Sequence, residues 1–172
     1  MSNQGDARHV GAELELVWAL TDNLSFSTSA GYLDAEITDS KALTKNVMGQ
    51  QVPVQGQRPY APTWTAFAGL AYTRQLANNM QLSANVDYNY RTEFSGDHSS
   101  PLDRALFKLP GYGLLNGSLF LRPDQGNWSL GIWAKNLTDK VYVPRVVFDS
   151  FGDFIDIPGE PRSWGIEVER SW

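Results

Sequence analysis

MQLSANVDYNYRTEF, residues 80 to 94, sorts its side chains into two sets. Met80, Leu82, Ala84, Val86, Tyr88 and Tyr90 alternate with Gln81, Ser83, Asn85, Asp87, Asn89 and Arg91. Successive side chains of a strand point to opposite faces, so this stretch reads as a strand with one wholly apolar and one wholly polar face. The pattern outlasts the roughly five or six residues of an ordinary globular strand. Such a segment needs an apolar environment on one side and a wet one on the other over an unusual length.

The same alternation recurs along the chain. In residues 8 to 20, Val10, Ala12, Leu14, Leu16, Trp18 and Leu20 oppose His9, Gly11, Glu13 and Glu15. After Thr21-Asp22-Asn23, Leu24, Phe26, Thr28, Ala30 and Tyr32 oppose Ser25, Ser27, Ser29 and Gly31, which makes a hairpin. Trp64, Ala66, Ala68, Leu70 and Tyr72 share a face in 63 to 76, Leu115, Gly117, Leu119 and Leu121 in 112 to 122, and Trp128, Leu130, Ile132 and Ala134 in 127 to 138. At the end, SWGIEVERSW sets Trp164, Ile166, Val168, Arg170 and Trp172 against Glu167 and Glu169. Strands are therefore expected at 8–20, 24–37, 63–76, 80–92, 112–122, 127–138 and 162–172.

Short connections at 21–23, 77–79 and 123–127 alternate with long ones at about 38–62, 93–111 and 139–161. Short turns on one rim and long loops on the other are the plan of an outer-membrane β-barrel, with the polar face to the lumen and the apolar face to lipid. Aromatics fall where such a barrel meets the membrane surfaces. Trp18, Phe26, Tyr72 and Trp128 lie beside short turns, and Tyr32, Trp64, Tyr88, Tyr90 and Trp164 beside long loops. A soluble β-sandwich would also alternate, but it needs neither strands of this length nor aromatics sorted to both ends.

Composition fits this reading and removes several others. The 172 residues are 42% hydrophobic and 12% aromatic, with a formal net charge of -5. A nucleic-acid binder needs a concentrated basic face, so that class is set aside. There is no cysteine, which excludes disulfides and thiolate metal sites. No apolar run approaches the roughly 20 residues of a membrane helix, a test to which membrane strands are blind. The first residues, MSNQGDARHVG, lack the three regions of a signal peptide, so an export signal is expected to lie outside this chain.

Seven strands leave the first and last parallel, and an antiparallel meander cannot close that way. An eighth could be drawn through VYVPRVVF, 141 to 148, giving a complete small barrel with an adhesin or structural role. Pro144 in its middle removes a ladder donor, so 139–161 is read as one long loop. The chain then looks like the end of a larger barrel.

The order of these features resembles the C-terminal part of TonB-dependent outer-membrane receptors. GDARHVGAELELVWALTDNLSFSTSAGYLDAEIT is similar to the family's Gly-x-Glu-Leu-Glu strand, short periplasmic turn and Gly-Tyr-x-x-Ala strand. GQRPYAPTWTAFAGLAY resembles its Pro-flanked lead into the next strand. Asn136, Leu137, Asp139 and Tyr142 match its Asn-Leu-x-Asp-x-x-Tyr segment, and Pro161, Arg162 and Gly165 its Pro-Arg-x-x-Gly segment. The resemblance implies an all-β fold: an antiparallel meander of about seven long transmembrane strands, the C-terminal part of a 22-stranded outer-membrane β-barrel. All of 1–172 would be barrel, without the plug domain or the TonB box.

The resemblance also implies a parent that imports a ferric siderophore or similar scarce solute. Its partners would be outer-membrane lipid, the rest of the barrel and the plug, TonB acting through that plug, and the barrel-assembly machinery. Members commonly end on a strand of alternating apolar residues with a terminal aromatic that this machinery recognises, which assigns that signal to Trp164, Ile166, Val168 and Trp172. Arg170 departs from the pattern but can snorkel at a rim. Alone, the segment is expected not to transport.

Residues able to carry other chemistry are few. His9 and His98 are far apart, and no nucleophile elbow, Walker loop or dinucleotide fingerprint is present, so neither an enzyme nor a cofactor is expected. Glu13 with Glu15 and Asp87 with Arg91 are read as lining a wet lumen. Asp149, Asp153 and Asp156 are weak candidates for a hard cation, without EF-hand spacing. Phe148, Phe151 and Phe154 in the same loop are candidates to touch a ligand. Asn136 and Asp139 are expected to satisfy backbone groups where strand meets loop.

Overall fold

The computed structural model describes residues 5–46, 48–56, 61–95, 107–148 and 154–170. Seven long strands build one sheet: β1 (Asp6–Thr21), β2 (Leu24–Asp39), β5 (Trp64–Leu76), β6 (Met80–Arg91), β9 (Tyr112–Pro123), β10 (Trp128–Lys135) and β13 (Ser163–Arg170). They pair in chain order and always antiparallel. Each long connection carries its own small hairpin off the main sheet: β3 (Leu43–Lys45) with β4 (Gln51–Pro53), β7 (Phe94–Ser95) with β8 (Lys108–Leu109), and β11 (Arg145–Phe148) with β12 (Phe154–Ile157).

Short turns are made where their residues allow it. Asn78 and Asn79 both take positive φ, 63° and 55°, the conformation that twists a tight hairpin the right way and that Asn tolerates. At the first turn, the Thr21 hydroxyl accepts from the backbone N–H groups of Asn23 (3.2 Å) and Leu24 (3.0 Å).

Three boundaries differ from the sequence reading. The first hairpin continues past the alternating stretch to Asp6 and Asp39, because backbone pairing goes on where the outward residues become Arg8, Asp34 and Glu36. β10 stops at Lys135 instead of 138, since Asn136 turns to φ 50° and Asp139 to φ 53°. The segment 139–161 is not one plain loop but holds β11 and β12, and its strand begins just after Pro144. Neither joins the wall, so no eighth wall strand runs there.

Followed across the sheet, one row of directly paired residues runs Trp18, Phe26, Leu70, Val86, Gly117, Ala134, Trp164. It leaves β1 near its short-turn end and reaches β13 at its loop end. Strands inclined to the row in this way are what a closed barrel requires. On β1 the apolar side chains extend from Val10 to Leu20, about 33 Å along the strand. At the usual tilt that is about 25 Å of membrane.

Among the described residues the sheet has no second layer. Ala35, Phe107 and Leu109 are the buried hydrophobics among the described residues. Leu14, Ile132, Ile166 and Val168 are between 52% and 74% exposed. A β-sandwich would bury such a face against a second sheet; this chain does not. Among the described residues, β1 and β13 each pair on one side only.

Candidate functional site

The outer face is apolar throughout its middle. Leu119, Ile132 and Ile166 pair across three strands, and Leu121, Leu130 and Val168 form the row below. The inner face presents Ser25, Ser27, Ser29, Gln81, Ser83, Asn85 and Asn89, with aromatic rings packed over glycine backbone between them. The Phe120 ring occupies the space a side chain on Gly131 would need, and the Trp133 ring does the same at Gly165. Any larger residue at Gly131 or Gly165 would have to displace a ring.

The expected aromatics divide as their faces dictate. Trp18 pairs directly with Phe26, Tyr72 with Leu24 and Trp128 with Arg170, all toward the short turns. Toward the loops, Tyr32 and Trp64 meet with ring centroids 4.8 Å apart, and Tyr88 covers Gly113. Tyr90 and Trp164 stay exposed on the same face. The Tyr32–Trp64 contact is expected to contribute about 1 kcal/mol beyond burial. Urea titration of Tyr32→Ala, Trp64→Ala and the double variant, each in the chain joined to the remaining strands of a family member and folded in lipid vesicles, should show that coupling, and strictly additive losses would refute it.

Two polar assemblies stand where the inner face meets the loops. In the first, Asn136 is 3% exposed. Its Nδ2 donates to the carbonyls of Lys140 (2.9 Å) and Glu160 (3.1 Å), while its Oδ1 accepts from the Lys140 N–H (2.8 Å). One side chain thereby holds both ends of the segment 140–160. Around it, the Asn136 N–H donates to Asn116 Oδ1 (3.1 Å), whose Nδ2 donates to Asp87 Oδ2 (2.8 Å), which also accepts from Asn89 (2.7 Å). Asp139 Oδ1 accepts from the Arg162 N–H at 3.2 Å, and their side chains pair at 3.7 Å. Leu137 donates its N–H to the Leu115 carbonyl. The chain of groups spans β6, β9, β10 and the start of β13.

In the second assembly, Tyr142 lays its ring on Gly159 and its carbonyl accepts the Gly159 N–H at 2.8 Å. Its ring also meets Tyr112, centroid to centroid 4.4 Å. The Arg91 guanidinium sits 4.3 Å from the Tyr112 ring centre and 4.7 Å from that of Phe94. It donates to the carbonyls of Val143 (3.1 Å) and Pro144 (3.2 Å). Each cation–π contact is worth about 0.5 to 2 kcal/mol, more as water is excluded.

Asn136, Leu137, Asp139 and Tyr142 are thus brought together around one loop base. Asn116, Asp87 and the loop contacts of Arg91 join it without a local signal in the sequence, because their partners lie 20 to 53 residues away. Asp156 lies in β12, while Asp149 and Asp153 lie outside the described residues. Among the described residues no three His, Cys, Asp or Glu gather as a metal site would need. Phe151 and Trp172 also lie outside the described residues. Trp164, Ile166 and Val168 share the outer face of β13.

A single tilted sheet, apolar outside, polar inside, with short turns on one rim and structured loops on the other, is the wall of an outer-membrane β-barrel. The family model of the TonB dependent receptor-like beta-barrel matches residues 1–137. The chain belongs to that family, whose members are outer-membrane proteins of Gram-negative bacteria, receptors rather than enzymes. It is 27% identical over 164 residues, 92% of its length, to the metal-pseudopaline receptor CntO of Pseudomonas aeruginosa. It is 25% identical over 173 residues, 99% of its length, to the ferric-pyoverdine M114 receptor PbuA of Pseudomonas sp. strain M114. The chain spans about a fifth of these curated relatives, 20% and 19%. Its fold matches the ferric yersiniabactin uptake receptor FyuA of Yersinia pestis with a TM-score of 0.75 at 20% identity, over 98% of this chain and 24% of that one.

Proposed function

We propose that this chain is a segment of barrel wall and extracellular rim from a receptor that imports a metal held by a small organic chelator, a ferric siderophore or a close equivalent. The observation that carries the reading is the open wall: seven strands with an exposed apolar face and an unpaired edge at each side. An unpaired strand edge in lipid is prohibitively costly, so further strands must complete the barrel. The family and the two curated relatives supply the kind of cargo.

In this reading the polar inner face receives a plug through which TonB supplies energy, and the outer face meets lipid, with its aromatics at the two membrane surfaces. Trp164, Ile166, Val168 and Trp172 serve the barrel-assembly machinery. The loops give the solute its first contacts, with Phe148, Phe151 and Phe154 as candidate aromatic contacts in 139–161 and Asp149, Asp153 and Asp156 as weak candidates for a cation. By itself the wall has no means of coupling to an energy source, so it does not transport.

The test compares the chain produced alone with the same chain joined to the plug and remaining strands of a family member, both in outer membranes of cells lacking their own ferric-siderophore receptors. The joined protein should retain and take up radiolabelled ferric chelate, and the chain alone should do neither. Energy-dependent uptake by the chain alone would overturn the segment reading. A joined protein that inserts correctly yet retains none of a panel of metal chelates would overturn the receptor reading.

A further inference from the structure

We propose that Arg91 is the positioning residue that couples the base of the loop after β6 to the base of the loop after β10, so that the described parts of the two move together at the barrel rim. Its anchor is the last residue of β6, on the inner face opposite Thr65 and Tyr112. From there the guanidinium touches Phe94, at the start of the 93–111 connection, and Tyr112, at its end. The same group donates to Val143 and Pro144, within 139–161. Tyr142, one residue before, stacks on Tyr112 and closes on Gly159 at the far end of that loop. A single planar cation therefore joins both ends of one loop to the base of the other.

The chemistry of the contact suits a pin. Among the described residues Arg91 has no carboxylate partner, and its Nε is buried without a hydrogen-bond acceptor. Its charge is compensated by ring faces and peptide carbonyls, which require the flat, forked guanidinium. An ammonium could take one carbonyl but could not fill the space between two rings. Ion pairing elsewhere on these loops is peripheral: Lys108 and Glu93 meet at 2.6 Å, but both are more than half exposed, where such pairs contribute little.

The inference goes beyond the receptor reading and does not depend on it, because the coupling concerns loops whatever solute they meet. The chain has no cysteine, so spin labels attach only where they are introduced. In the chain joined to the plug and remaining strands of a cysteine-free family member and assembled in outer membranes, labels at Lys108→Cys and Ile155→Cys report one loop against the other, and labels at Asn85→Cys and Glu167→Cys report the wall. With Arg91 intact both pairs should give narrow distance distributions. Arg91→Ala should widen the loop-to-loop distribution by roughly a factor of two while leaving the wall pair unchanged, and Arg91→Lys should recover only part of the order. An unchanged loop-to-loop distribution in Arg91→Ala would overturn the proposal. So would equal widening of the wall pair, because Arg91 would then hold the fold and not the loops. Failure to retain any ferric chelate would count against the receptor reading alone.

Discussion

Ile132→Arg should almost eliminate folded protein from the outer membrane, whereas Asn85→Arg, on the opposite face of the same wall, should leave most of it in place. Ile132 is half exposed in mid-strand, between Leu119 and Ile166 in the neighbouring strands. Its paired neighbours there, Leu119 and Ile166, offer no acceptor to a cation. A cation facing lipid near mid-membrane costs about 2 to 4 kcal/mol, enough to shift the folded fraction by one or more orders of magnitude. Asn85 lies among Ala71 and Ser118 on the wet face, where an added charge stays hydrated. With the chain joined to the plug and remaining strands of a family member, the fraction migrating as heat-modifiable protein on cold gels measures both variants. Equal losses would mean that the two faces see the same solvent, and the membrane reading would fall.

Asn136→Ala should loosen the base of the loop after β10, at Lys140 and Glu160, without unfolding the wall. Three hydrogen bonds disappear, two to carbonyls and one from the Lys140 N–H, in a position almost without solvent. At about 1 kcal/mol each the local loss is about 3 kcal/mol. Alanine at φ 50° adds about 1 kcal/mol that asparagine largely avoids. Asn136→Asp should be no better than alanine, because a carboxylate can accept from Lys140 N–H but would face the Lys140 and Glu160 carbonyls with no proton to give. Hydrogen exchange at the Lys140 and Gly159 amides should accelerate by two to three orders of magnitude, following from about 3 to 4 kcal/mol, while β5 and β6 amides stay protected. Unchanged exchange at Lys140 would show that the loop is held by something else.

The wall is legible in the sequence because its cause is repetitive. Each residue from Met80 to Arg91 independently chooses lipid or water, so a period of two survives even with Thr28 or Gly117 on the apolar side. The turns are legible for a similar reason: Asn78-Asn79 can adopt positive φ where few other pairs can. The same logic fails beyond the membrane. Once Arg8, Asp34 and Glu36 replace apolar side chains the alternation ends, yet the ladder continues because backbone pairing needs no particular side chain, and the hairpin runs further than its pattern.

The loop base was half legible. Asn136, Leu137, Asp139 and Tyr142 stand out as a local motif, and their spacing around two positive-φ residues accounts for a turn. Nothing local says that Asn136 reaches across to Glu160, or that Arg91 meets carbonyls 52 and 53 residues on. Arg91 looks like any other polar residue of the inner face. Its difference arises only when β9 brings Tyr112 beside it and the segment after β10 brings the carbonyls of Val143 and Pro144. The short hairpin at 145–157 is similarly hidden, since four-residue strands with a proline just before them carry too little periodicity to be separated from loop.

The near absence of buried hydrophobics among the described residues has a thermal consequence. A water-soluble domain of this length releases much apolar surface on unfolding, with a heat-capacity increment of about 2 kcal/mol/K at 12 to 15 cal/mol/K per residue. Here Leu14, Ile132, Ile166 and Val168 already face outward, and a strand that loses its ladder while still in the bilayer only exchanges one hydrocarbon neighbour for another. The increment for that step is therefore small, and the stability curve is nearly a straight line in temperature instead of a dome. Cooling, which weakens the hydrophobic effect that binds a soluble core, leaves this wall its principal restraint, the hydrogen bonds that have no water to replace them.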